Sequence, residues 1–152
     1  MQLEARTKID APAEAVFRFF ETMESNYERW HPDHIEFRWN DERGLTEGSE
    51  AYFEERIAGK VQRKTVEFTE VVPNRYLEFR PSSRLIALLM PSISFTIEPR
   101  QDGCTLTQRI RVRTGPIGAW ANRREFDAVR KHMREEGENM KQILESEVVR
   151  SV

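Results

Sequence analysis

The chain has 152 residues, 24 Lys and Arg against 26 Asp and Glu, a formal net charge of −2, three His and one Cys. The length suits one domain over 1–152, the lone Cys104 excludes an internal disulfide or a sulfur-based zinc ribbon, and a pI near 6.0 with interspersed signs lacks the electrostatic footprint of a nucleic-acid binder. At 38% hydrophobic and 33% charged the chain reads as folded; no run reaches the length of a membrane span, and Met1–Arg6 lacks a signal peptide's apolar stretch, so a cytoplasmic location is expected.

Leu3, Ala5, Thr7 and Ile9 alternate with Glu4, Arg6 and Lys8, which predicts a half-buried strand. Asp10-Ala11-Pro12 stops it and opens a helix, with Asp10 as the expected cap, Glu14 suiting the helix dipole, and Val16, Phe17, Phe19 and Phe20 as the apolar face. Residues 23–30 read as a second short helix, with Ser25 as its expected cap and Pro32 as its stop.

Strands fill the middle. Ile35, Phe37 and Trp39 alternate with polar neighbours; Glu50 to Ile57 alternates again; Ala58-Gly59-Lys60 turns into a long return strand, Val61 to Val72. Tyr76–Phe79 and residues 92–98 form two more strands, and Gln101-Asp102-Gly103 turns the last into Thr105–Val112. The apolar run Leu85–Met90 fits a buried strand, a short helix or a lid over a cavity, and its periodicity does not choose. Arg109, Arg111 and Arg113 share one strand face, read as solvated and paired with Glu from a neighbour.

From Ala119 to about Val149 there is no Pro and one Gly, which predicts a long helix. At about 100° per residue, Phe126, Val129, Met133, Met140, Ile143, Leu144 and Val148 fall in one arc, with Lys131, Arg134, Glu135 and Glu138 outside it. Strand, two helices, antiparallel strands and a long terminal helix make an α+β layer. This order resembles the helix-grip fold of the START-like and Bet v 1-like superfamily, in which a curved antiparallel sheet wraps the terminal helix and leaves a cavity. Phe53, Phe95, Met133 and Met140 are its expected lining.

The three histidines fall at informative places. His31 and His34 lie in Trp30-His31-Pro32-Asp33-His34; His132 lies on the terminal helix, one turn before Glu136. Glu136 sits inside the apolar arc and His132 at its edge, where a carboxylate is costly unless paired or bound to a metal. Ala51, Phe53, Glu55 and Ile57 share a strand face, so Glu55 is a second carboxylate on an apolar surface. With His31 or His34, these residues compose a set of two His and two Glu suited to zinc. The plainer reading is a surface His/Glu pair, a Glu55 paired with arginine, and a helix-ending His-Pro-Asp-His turn.

The His-Pro-Asp-His segment, Glu55 shortly before Gly59, and the His132/Glu136 pair together resemble the catalytic domain of the diacetylphloroglucinol and phloretin hydrolases. That resemblance implies Zn2+ held by Glu55, His132, Glu136 and His34, with His31 as the alternative to His34, and cleavage of a C–C bond next to a carbonyl on a small phenolic ketone. Zinc would polarise the carbonyl or activate a water, and Tyr52, Tyr76 or an unligated His is then the expected general acid. The rival from the same fold is a metal-free binder of a hydrophobic lipid or polyketide, or a polyketide cyclase/aromatase. Under that rival, replacing Glu136 by Ala is expected to be neutral or stabilising.

Overall fold

The computed structural model describes residues 1–150. Seven strands form one antiparallel sheet in the order β1-β7-β6-β5-β4-β3-β2. The strands are β1 (Gln2–Ile9), β2 (His34–Trp39), β3 (Glu50–Ile57), β4 (Lys60–Val72), β5 (Tyr76–Pro81), β6 (Ser92–Arg100) and β7 (Gly103–Arg111). Short helices α1 (Ala13–Glu21) and α2 (Met23–Trp30) join β1 to β2, α3 (Arg84–Leu89) joins β5 to β6, and α4 (Pro116–Ala121) precedes the long α5 (Arg123–Arg150). The sheet curls into a half-barrel gripping α5, an α+β helix-grip architecture. No helix among the described residues is long and apolar enough to cross a membrane.

The alternating sequences produce the expected faces. Leu3, Ala5 and Ile9 of β1 are buried, as are Ala51, Glu55 and Ile57 of β3. The apolar face of α1 packs Val16, Phe17, Phe19 and Phe20 into the main core with Trp30, Phe95 and Leu106. A smaller cluster, Leu3, Ala5 and Met133, seals β1 against the first half of α5. Cys104 is buried, and its burial pushes the thiol up to about 11, as befits a core side chain.

Helix boundaries depart from expectation where local hydrogen bonds compete. Asp10 does not cap α1: the N-cap is Pro12, and the Asp10 N–H is instead taken by Glu145 Oε2 at 2.9 Å. Ser25 does not cap α2, because Thr22 ends one helix and begins the next; Ser25 lies inside α2 and donates its hydroxyl to the Thr22 carbonyl. The terminal helix is broken at Asn122, whose backbone N–H and side-chain amide both bond the Gly118 carbonyl and so end α4 before α5 starts. The run Leu85–Met90 is largely helix α3 and mostly exposed, while Ile86 and Met90 also reach the cavity.

Close approach sets α5 against β1. A Cβ at Gly137 would lie 2.2 Å from Thr7 Oγ1, so only glycine fits this crossing. Gln108 Nε2 donates to the Met133 carbonyl, Trp30 Nε1 to the Glu136 carbonyl, and Asn139 Nδ2 to the Trp30 carbonyl. The backbone around Glu136 is thereby held from both the sheet and α2.

Candidate metal centre and cavity

Register and helical spacing bring four side chains together. His34 opens β2 directly opposite Glu55 of β3, and residues opposite one another share a sheet face. His132 and Glu136, one turn apart on α5, face them. One ligating atom from each of His34, Glu55, His132 and Glu136 lies within 4.8 Å of all the others. His34 Nε2 is 2.8 Å from Glu136 Oε2 and 3.9 Å from Glu55 Oε2; His132 Nε2 is 3.3 Å from Glu55 Oε2 and 3.5 Å from Glu136 Oε2. All four side chains are nearly shut off from solvent.

Neighbours orient each group. The His34 ring stacks on Tyr27 at 3.9 Å, and Nδ1 donates to the Tyr27 carbonyl at 2.8 Å. A carbonyl only accepts, so Nδ1 carries a proton and Nε2 is the atom turned inward, the tautomer a metal ligand needs. Glu55 divides its oxygens: Oε1 accepts from Lys64 Nζ at 2.9 Å, while Oε2 faces the cluster and the Tyr27 hydroxyl at 3.4 Å. His31 stands outside the four. Its Nδ1 accepts from the Asp33 N–H, its Nε2 faces Glu135 Oε1 at 3.3 Å, and its ring lies against His132 with centroids 4.2 Å apart. His31, Asp33 and His132 do offer three ligating atoms within the same span, but the His31 ring nitrogens are already engaged.

The electrostatics are those of a buried charged cluster. Burial opposes charge on His132, yet Glu136 and Glu55 outweigh it and push the imidazole up to about 10. Burial likewise opposes ionisation of Glu55, but Lys64 and His132 hold its carboxyl far below the usual range. His132 and His34 do the same for Glu136. Burial, then His132, lowers His31. Burial, then Glu55 and Glu136, keeps the Tyr27 hydroxyl firmly protonated.

One atom is unaccounted for by these pairings. His132 Nε2 is buried with no hydrogen-bond partner among the described residues, although the carboxylate oxygens of Glu55 and Glu136 stand 3.3 and 3.5 Å away. Buried polar atoms are nearly always satisfied. A nitrogen aimed at the space between two carboxylates and a second imidazole fits a cation there. Two His nitrogens and two carboxylate oxygens are the donor chemistry of zinc.

Three of the four, Glu55, His132 and Glu136, line a cavity of about 630 Å³, within the range of small-molecule sites. Phe53, Phe95 and Met133 line it as expected, with Phe20, Phe37 and Phe79. Met140 does not: it is fully buried in the main core, because only the first half of α5, up to Glu136, meets the cavity. Tyr52 and Tyr76 do not line it either. Tyr52 points to the outer sheet face, where its hydroxyl donates to Glu54 and Arg38 stacks on its ring. Tyr27 and Lys64 do line it; neither stands out in the sequence, although Lys64 continues the alternation of Val66 and Phe68 and so marks the inward face.

Residues 1–145 match the family described as polyketide cyclase / dehydrase and lipid transport. The chain belongs to this family. Solved structures share the family's fold at low sequence identity. The protein TTHA0849 from Thermus thermophilus is 13% identical, with a TM-score of 0.75 over 96% of this chain and 98% of that one. The Polyketide_cyc-like protein Cgl2372 from Corynebacterium glutamicum is 18% identical, with a TM-score of 0.62 over 97% and 93%. The di-domain ARO/CYC BexL from the BE-7585A biosynthetic pathway is 21% identical, with a TM-score of 0.70 over 93% of this chain but 45% of that one. No curated protein matches the chain in sequence.

Proposed function

We propose that this member of the polyketide cyclase / dehydrase and lipid transport family binds a small hydrophobic, aromatic or polyketide-like molecule in its cavity, in the manner of a carrier or a cyclase. The observation that carries this reading is the aromatic-lined space of about 630 Å³ between the sheet and α5. The family match supports it. A ring system in that space meets Phe53, Phe79 and Phe95 with its faces, and Lys64 and Glu55 with its polar edge. Displacement of an apolar fluorescent dye by phenolic ketones tests it: saturable displacement is expected, and failure of every aromatic or polyketide-like compound to compete overturns it.

The His/Glu cluster favours a second reading, a zinc-dependent hydrolase of a C–C bond next to a carbonyl. His34, Glu55, His132 and Glu136 would hold the ion. Bound there, zinc would supply the Lewis acidity that activates a carbonyl. The chain's own residues provide the remainder. The cavity holds the ring and excludes bulk water. Water adds to the carbonyl carbon, the C–C bond breaks with its electrons left on the ring carbon, and a proton must then reach that carbon. Tyr52 and Tyr76, two of the donors expected alongside an unligated His, do not line the cavity; Tyr27 does, with its hydroxyl 3.4 Å from Glu55 Oε2, and is the tyrosine placed to deliver that proton. Zinc-loaded protein incubated with an acylated phenol separates the two readings: release of the carboxylic acid supports hydrolysis, and binding without turnover leaves the carrier or cyclase.

A further inference from the structure

Beside the cavity mouth the surface is unlike the rest of the molecule. Leu85, Leu88 and Leu89 of α3 and Ile117 and Trp120 of α4 are each more than half exposed, Ile117 at 84% and Trp120 at 68%. The two helices are joined at their base, where the Arg113 N–H donates to the Leu89 carbonyl at 2.7 Å. The cavity lies close by: Ile86 of α3, Met90 just after it, and Phe126 in the first turn of α5 line it. Monomeric surfaces seldom gather large apolar side chains in this way without a partner.

Charge indicates the partner. Segments 82–91 and 111–124 contain Arg84, Arg111, Arg113, Arg123 and Arg124 and no acidic residue, in a chain whose net charge is −2. All five are exposed, and none of them makes an ion pair among the described residues, whereas Arg109 is paired with Glu4 at 3.1 Å. The Arg123 guanidinium lies over the Trp120 ring, 4.6 Å from its centre. Exposed leucines, an isoleucine and a tryptophan framed by unpaired arginines are the composition of a surface that seats in the headgroup region of an anionic bilayer. An indole beside a guanidinium suits the same interface.

We propose that α3, α4 and the arginines around them dock the protein on an anionic phospholipid surface, with the cavity mouth turned toward the bilayer. Docking depends on neither the metal nor the cavity ligand. Leu88, Ile117 and Trp120 sink among the acyl chains near the headgroups, and the arginines engage lipid phosphates.

Co-sedimentation of the full chain with vesicles tests this, comparing phosphatidylcholine alone with phosphatidylcholine mixed with phosphatidylglycerol. Binding to the mixed vesicles only is expected. It should fall roughly tenfold or more in a Leu88→Ser/Ile117→Ser/Trp120→Ser variant and by a similar factor in Arg113→Gln/Arg124→Gln. Trp30 is buried and Trp39 half-buried, so a blue shift of tryptophan emission on vesicle addition should be lost with Trp120→Phe. The proposal is overturned by absence of binding to anionic vesicles, by binding that survives the apolar variant, or by sedimentation without an emission shift. It is equally overturned if the wild type self-associates, the apolar variant is monomeric, and neither binds vesicles.

Discussion

At the scale of single residues, the cluster holds two buried carboxylates, two imidazoles and an unsatisfied nitrogen on His132. Glu136 Oε2 lies 2.8 Å from His34 Nε2 and 3.5 Å from His132 Nε2, so the geometry predicts the opposite of the sequence-based expectation that Glu136→Ala is harmless in a metal-free protein. Its removal strands His34 Nε2 without a partner, and a loss of about 1–3 kcal/mol is expected in chemical denaturation of the metal-free protein. Glu136→Gln keeps the shape, and metal analysis should show it losing the ion. Tyr27→Phe should leave stability within about 1 kcal/mol, since it removes one long hydrogen bond. If the protein is a hydrolase, the same change should lower kcat by about 10²-fold or more with little change in KM.

The metal-free cluster also predicts a pH dependence. His132 is raised to about 10 from an ordinary value of 6.5. A raised pKa stabilises the fold fully below the unfolded value, and that contribution fades as pH climbs through the folded one. The melting temperature of metal-free protein should therefore fall from about pH 6.5 toward 10. Glu55 and Glu136 have depressed pKa values, so their contribution is present above about 4.5 and is lost as pH falls below it. Zinc needs a neutral His132, so its binding releases a proton and strengthens as pH rises. Melting curves across pH with and without zinc would show the metal's benefit growing where the metal-free protein weakens; a benefit that shrinks with pH contradicts the account.

At the scale of elements, the site depends on how α5 crosses β1. Gly137→Ala gains about 1 kcal/mol of helix propensity, but its Cβ meets Thr7 Oγ1 at 2.2 Å, and overpacking costs about 1–3 kcal/mol. Thr7 is β-branched and cannot swing away freely. The variant should be destabilised by about 1 kcal/mol and should bind metal more weakly, because Glu136 moves with the helix; a more stable variant with unchanged affinity contradicts this. Alternation in β3 disclosed the inward Glu55, and helical spacing disclosed the His132/Glu136 pair. Neither could show that β2 and β3 pair His34 with Glu55, because register is a long-range property. The helical arc identified the apolar side of α5 but not where along it the cavity ends, which misplaced Met140. Asp10 and Ser25 have good capping side chains, yet tertiary partners and a shared helix junction claimed the positions. Tyr27 and Lys64 escaped notice because their importance comes from what folding sets beside them.

At the scale of the whole molecule, the family fold provides a gripped cavity, and this chain sets Glu55, His132 and Glu136 on its wall with His34 beside them. The most direct test is the metal content and thermal stability of protein purified without an affinity tag. Stoichiometric zinc is expected, lost on chelation with a lower melting temperature and regained with zinc; metal at about 100 times its dissociation constant adds about 2.7 kcal/mol. Glu136→Gln should abolish both effects. Absence of stoichiometric metal, together with a melting temperature that zinc leaves unchanged, would contradict the assignment of His34, Glu55, His132 and Glu136 as a metal centre.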